Sequence, residues 1–83
     1  MELSVELSYY PLDADYKPLI RAFIEALKTS GLDVYSNRMS TQLFGDFDDV
    51  MSALSQLMKW SFEQHGKAVF VAKFLEGDRR PRD

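Results

Sequence analysis

The chain has 83 residues, 46% of them hydrophobic, and its 13 acidic and 10 basic side chains give a net charge of −3. That length is enough for one domain, and the negative charge argues against a surface that binds nucleic acid phosphates. The absence of cysteine excludes disulfides, thiol nucleophiles and thiolate metal sites, and it is typical of a reducing compartment.

Two further features bear on location. No apolar run approaches the ~20 residues that a membrane-spanning helix needs. The first ten residues, MELSVELSYY, contain no basic segment followed by an apolar stretch, so they do not resemble a secretory signal. We therefore expect no membrane partner.

The first half of the chain predicts a strand, a helix and a second strand. Residues 2–10 alternate between apolar and polar side chains, which is typical of a half-buried strand. The apolar set is Leu3, Val5, Leu7 and Tyr9. Pro11 lacks an amide donor and is expected to end this strand. An amphipathic helix capped by Asp13 or Asp15 follows, and residues 32–36 form the second predicted strand.

The second half repeats the pattern. Residues 41–44 predict a third strand, and Asp46 lies in the N-cap position of a helix predicted from Phe47 to about Gln64. Residues 67–75, rich in valine and phenylalanine, predict the fourth strand. A glycine follows each helix and is expected to end it, at Gly31 and Gly66.

Two strand–helix–strand units in succession predict an α+β, ferredoxin-like βαββαβ fold, a four-stranded antiparallel sheet with two helices on one face. We assign residues 1–76 to this single domain. The charged C-terminal tail, residues 77–83, is expected to be disordered or only loosely docked.

The fourth strand suggests a partner for the other face of the sheet. We place Val69, Val71 and Leu75 against the helices, which leaves Ala68, Phe70, Ala72 and Phe74 on the open face. The alternative is the opposite register, with Phe70 and Phe74 in the core. Tyr10, Tyr35 and Phe44 are expected to share the open face. Because monomers rarely expose so apolar a surface, we predict that a second copy covers it.

No catalytic or metal-binding motif is recognisable. His65 is the single histidine, and its place at a helix end suits a residue that compensates the helix dipole. Asp46, Asp48 and Asp49 lie in a first helical turn, where carboxylates are favoured without any metal. Phosphate-binding and dinucleotide-binding glycine motifs are absent, and no serine has a histidine and an acid arranged as a triad. We therefore expect neither enzyme activity nor a cofactor.

Three segments together resemble the YkoF-like family of thiamine- and hydroxymethylpyrimidine-binding proteins, in its small single-domain branch. YYPLDADY is similar to the family's first strand and its exit into helix one. The run Met39 to Asp46, followed by Asp49-Val50-Met51 and Leu54, resembles its central signature. Gly66 and the strand to Phe74, with Gly77-Asp78-Arg79-Arg80, resemble its closing strand and basic tail.

The resemblance implies a homo-oligomer, a dimer or tetramer formed through a sheet edge and the open sheet face. It also implies binding of thiamine or its pyrimidine half without chemistry, in cytoplasmic uptake or salvage of a thiamine precursor. An aminopyrimidine needs a wall to stack on, an acceptor and a donor. The candidate ligand-binding residues are Thr41, Ser40, Ser8, Tyr9, Tyr10 and Asp46, of which Thr41 and Asp46 rest on the motif match.

Each candidate also has a purely structural interpretation: Thr41 as a satisfied strand residue, Tyr9 in the core, Tyr10 at an interface and Asp46 as a helix cap. Two other functions fit the same predicted fold. One is an ACT-like regulatory or oligomerisation module that binds an amino acid. The other is a small enzyme of the dimeric-barrel type, which would need a polar pair with a shifted pKa in a cleft.

Overall fold

The predicted order of elements is confirmed in the computed structural model, which describes residues 1–81. The elements are β1 (Glu2–Pro11), α1 (Tyr16–Lys28), β2 (Asp33–Ser36), β3 (Thr41–Asp46), α2 (Phe47–His65) and β4 (Ala68–Glu76). The strands form one antiparallel sheet in the order β2-β3-β1-β4, so β1 and β3 are neighbours. The fold is α+β and ferredoxin-like.

The core lies between one face of the sheet and the two helices. The alternation in β1 puts its apolar side chains inward, and the apolar stripes of α1 and α2 cover them. The buried cluster consists of Leu3, Val5, Leu7, Phe23, Leu27, Leu43, Val50 and Leu54. Three of them, Leu3, Val5 and Leu7, belong to the apolar set that the alternation in β1 predicted.

The ends of α2 agree with the sequence, whereas the start of α1 differs from it in detail. Asp46 is the N-cap of α2, and its side chain accepts a hydrogen bond from the Asp48 amide at 3.2 Å. Gly66 ends the same helix with a positive φ of 83°. Asp15 occupies the N-cap position of α1 but makes no capping hydrogen bond. Asp13 instead accepts from the Asp15 amide, which closes the turn before the helix.

The register that we predicted for β4 is wrong. Phe70 faces the helices, where its ring stacks on Tyr9 at 4.7 Å between centroids and lies 5.2 Å from Phe23. Val69 and Val71 face the open side and are about half exposed. Both alternating sets of β4 are apolar, so the strand carries no two-residue signal. The aromatic cluster decides the register.

The first residues after β4 are held against the open face of the sheet. Buried Ser4 accepts a hydrogen bond from the Arg79 amide at 2.8 Å and donates one to the Gly77 carbonyl at 2.7 Å. The expectation of a disordered or loosely docked tail therefore does not describe residues 77–80. The last two residues of the tail, 82 and 83, lie outside the described part of the chain.

Arg80 fixes this segment over Phe44. Its Nε donates to an Asp33 carboxylate oxygen at 2.7 Å, and Nη1 lies 3.0 Å from Asp78 and 3.9 Å from Glu2. The hydrogen bond to Asp33 raises the pKa of the guanidinium above its ordinary value. The guanidinium carbon stands 5.7 Å from the centre of the Phe44 ring, and Phe44 is only 3% exposed. One aromatic residue of the open face is thus covered by the chain itself.

Candidate functional site

A cavity opens where β1 runs past the end of its neighbour β3. The β1–β3 pairing stops at Leu7 and Thr41, whereas β1 continues to Pro11 along β4. The gap beside residues 8–11 is bounded by α1 and by the turn between β2 and β3, and its volume is about 360 Å³. Alternate residues of a strand direct their amides to opposite neighbours. The unpaired side of β1 therefore contributes backbone polar groups to the cavity.

The walls of this cavity are mainly apolar and aromatic. Ile20, Phe23 and Ile24 of α1 line it. Tyr10, Tyr16 and Met39 also line it, and they remain 54%, 47% and 86% exposed, respectively. Exposed aromatic and thioether side chains beside a concave surface offer flat and adaptable contacts for a ring. The site is therefore suited to a small aromatic molecule.

The hairpin turn contributes two of the predicted site residues. Thr41 lines the cavity, is 9% exposed, and its hydroxyl lies 3.3 Å from that of Ser36. Ser40 also lines the cavity, and its hydroxyl donates to Glu6 at 3.2 Å. Because a hydroxyl has one hydrogen and two lone pairs, both oxygens keep the capacity to accept a further hydrogen bond.

The end of β1 contributes three more of the predicted site residues. Ser8 and Tyr10 line the cavity, and their hydroxyls have no hydrogen-bond partner among residues 1–81. The Tyr9 hydroxyl accepts a hydrogen bond from Ser61 at 2.8 Å, and it keeps its own proton for a further acceptor. The ring of Tyr9 belongs to the aromatic cluster of the core. Uncommitted donors and acceptors thus concentrate at Ser8 and Tyr10.

Asp46 is not part of this group. It is the last residue of β3, and Thr41 is the first, so the two lie about 17 Å apart at the usual strand rise. Its carboxylate contacts the N-terminal ammonium of Met1 at 3.3 Å in addition to capping α2. The hydrogen bond from that ammonium lowers the pKa of Asp46. The structure therefore gives Asp46 a structural role, at the opposite end of the sheet from the cavity.

Sequence reasoning missed the residues that complete the cavity, chiefly Tyr16, Arg38 and Met39. Arg38 and Met39 lie in a turn that is closed by Asn37, whose side-chain oxygen accepts from the Met39 and Ser40 amides at 2.7 and 3.0 Å. The sequence did contain one indication of the cavity. The first predicted strand is much longer than the third, and two antiparallel strands of unequal length leave a gap at one end.

Groups that would point to other chemistry do not assemble in the part of the chain that the structure describes. Within residues 1–81, no three histidine, aspartate or glutamate side chains come close enough together to hold a metal ion. Neither described helix is long and apolar enough to span a membrane. His65 lies edge-on to Trp60 with ring centres 5.3 Å apart, and its buried Nε2 has no partner among those residues. The cavity beside β1 is the concave site at which five of the six predicted residues meet.

Several solved structures are similar to this chain. Protein SP2199 from Streptococcus pneumoniae has a TM-score of 0.85 at 23% identity, covering 95% of this chain and 90% of its own. A candidate thiamine biosynthesis/salvage protein from Thermotoga maritima has a TM-score of 0.80 at 17% identity, covering 89% and 82%. The hypothetical protein MJ1052 from Methanocaldococcus jannascii has a TM-score of 0.79 at 26% identity, covering 96% and 84%.

At such identities these structures support the fold. No match was found among curated proteins. The model of the YKOF-related family, in contrast, matches residues 2–75, which is most of the chain. The chain therefore belongs to the YKOF-related family.

Proposed function

We propose that this protein binds thiamine or its hydroxymethylpyrimidine half, without catalysing a reaction, in cytoplasmic uptake or salvage of a thiamine precursor. The observation that carries the proposal is the cavity between β1 and the hairpin turn, which is lined by five of the six residues that the sequence predicted. The family match and the thiamine-related neighbour from Thermotoga maritima support the same ligand class.

The lining is chemically suited to an aminopyrimidine. The ring would stack on Tyr10 or Tyr16 at the mouth, with its edge toward Ser8 and Thr41. The hydroxyl oxygens accept from the exocyclic amino group, and the hydroxyl protons of Ser8 and Tyr10 are available to a ring nitrogen. A volume of about 360 Å³ lies at the lower end of the range for small-molecule sites, which suits a single ring better than a large cofactor.

The same lining supports binding without turnover. Among the described residues that border the cavity there is no carboxylate, imidazole or thiol. General acid–base catalysis near neutral pH relies mainly on such groups with tuned pKa values. Hydroxyl groups, in contrast, are suited to recognising a ligand and fixing its orientation.

The binding proposal is tested by isothermal titration of thiamine and of hydroxymethylpyrimidine into the wild-type protein, Ser8→Ala and Thr41→Ala. Loss of one hydrogen bond is expected to weaken binding about fivefold. Ser55→Ala on the exposed side of α2 removes the same hydroxyl far from the cavity and should bind as the wild type does. No heat with either ligand at millimolar concentration would reject the proposal.

We also propose that a second copy covers the open sheet face. On the observed register this face presents Tyr10, Tyr35, Val69, Val71 and Leu75, each between 43% and 54% exposed. Association would remove this apolar area from water, and β4 is an unpaired edge strand of nine residues that could pair as well. Light scattering is expected to report a dimer or tetramer, and a monomer at micromolar concentration would contradict this.

A further inference from the structure

Arg38 is the single charged side chain among the described residues that line the cavity. It lies at the tip of the β2–β3 turn, whose shape is maintained by Asn37. Arg38 has no ion pair or hydrogen bond to any residue in the described range 1–81. Unlike Arg80, which is held by three carboxylates, Arg38 is available to a ligand.

Glu6, the acidic residue that is hydrogen-bonded to the cavity residue Ser40, does not offset this charge. Glu6 reaches the rim of the cavity through its hydrogen bond from Ser40. Its other carboxylate oxygen, however, lies 3.6 Å from the Lys73 ammonium. Glu6 is therefore already paired, and the mouth of the cavity keeps the positive charge of Arg38. A ligand that places a cation there meets like charge, whereas a ligand that places an anion there gains a partner.

This charge distinguishes among the ligands of the proposed function. Hydroxymethylpyrimidine is neutral near pH 7, thiamine carries a cationic thiazolium ring, and a phosphate ester of the pyrimidine carries a dianionic group. A guanidinium offers a planar pair of N–H donors that matches phosphate oxygens. With the pyrimidine ring toward Ser8 and Thr41, a phosphate on its hydroxymethyl arm would extend toward the turn that bears Arg38.

We propose that the cavity selects the phosphate monoester of the pyrimidine, with Arg38 as the residue that binds the phosphate. This inference rests on the proposed function and deepens it. The pyrimidine contacts supply recognition of the ring. Arg38 supplies the preference for the phosphorylated form and disfavours the thiazolium of free thiamine.

The test is calorimetric titration of the pyrimidine, its phosphate monoester, thiamine and inorganic phosphate into the wild type and Arg38→Gln. We expect the monoester to bind at least about tenfold more tightly than the pyrimidine, which is the size of one charge-assisted hydrogen bond. Arg38→Gln should abolish that difference and leave the affinity for the neutral pyrimidine within about twofold. Thiamine should bind more weakly than the pyrimidine alone.

Arg21→Gln is the matched control. Arg21 is an exposed residue of α1 that does not line the cavity. Its replacement by glutamine changes the net charge of the protein by the same amount as Arg38→Gln. It should keep the preference for the monoester. Equal loss in both variants would attribute the preference to overall charge and overturn the assignment of Arg38.

The outcomes also separate the two proposals. If the neutral pyrimidine binds but the monoester binds no more tightly, selection by Arg38 is wrong and the binding function stands. If inorganic phosphate binds as tightly as the monoester, Arg38 does not act together with the ring site, and the inference fails. If no pyrimidine compound binds, the proposed function fails and this inference fails with it.

Discussion

Replacing Phe70 by alanine tests the register of β4, the element for which sequence and structure disagree. Its ring contacts Tyr9, Phe23 and Phe62 at centroid distances of 4.7, 5.2 and 5.5 Å. Truncation of a core phenylalanine costs about 3–5 kcal/mol. Phe70 is partly rather than fully buried, so we expect the lower end, about 3 kcal/mol. Val69→Ala, at a half-exposed position of the same strand, should cost less than about 1 kcal/mol.

The assay is equilibrium urea unfolding followed by circular dichroism and by Trp60 fluorescence. Domains of this size are stable by about 4–12 kcal/mol, so Phe70→Ala could unfold the chain altogether. Phe70→Leu keeps most of the apolar volume and should stay folded with a loss of about 1.5 kcal/mol.

Association could add to the cost at Val69, so all variants are unfolded at one protein concentration and light scattering determines the oligomeric state of each. A larger loss for Val69→Ala than for Phe70→Leu under those conditions would refute the observed register.

Three further predictions concern the ends of the strands. Asp46→Asn keeps a good N-cap but removes the charge. Because the pKa of Asp46 is lowered in the folded state, its charge stabilises the wild type above the ordinary pKa of the carboxyl group, and this stability is lost as the pH falls through the folded-state pKa. The difference in stability between the two proteins, measured by unfolding curves at neutral and acid pH, should therefore vanish at low pH. Gly45→Ala would put a Cβ 2.9 Å from Leu32 Cδ2, and a thermal melt should show destabilisation of about 1–3 kcal/mol. Arg80→Gln removes the charged contact to Asp33 and should increase binding of a hydrophobic dye at the open face, whereas an unchanged dye signal would show that the segment stays docked without it.

Much of the fold could be predicted because the determining signals are local. The alternation of β1, the Asp46 cap and the glycine after α2 each depend on a few neighbouring residues. The register of β4 could not be predicted, because both of its faces are apolar and only the tertiary contact of Phe70 with Tyr9 separates them.

The candidate site could be predicted only in part. The predicted topology makes β1 and β3 neighbours, and this was enough to expect Ser8 and Thr41 at the same site. Asp46 does not line the cavity with the other five candidates, because the two ends of a strand lie far apart in space. Arg38 could not be placed, because the course of the turn depends on the Asn37 side chain and not on any periodic pattern.

A crystal structure of the protein grown with hydroxymethylpyrimidine would show the ligand and the assembly together. We expect density for one pyrimidine ring between Ser8 of β1 and Thr41 of the hairpin, stacked on Tyr10 or Tyr16. A ring bound elsewhere on the protein, or an empty cavity at millimolar ligand, would contradict it.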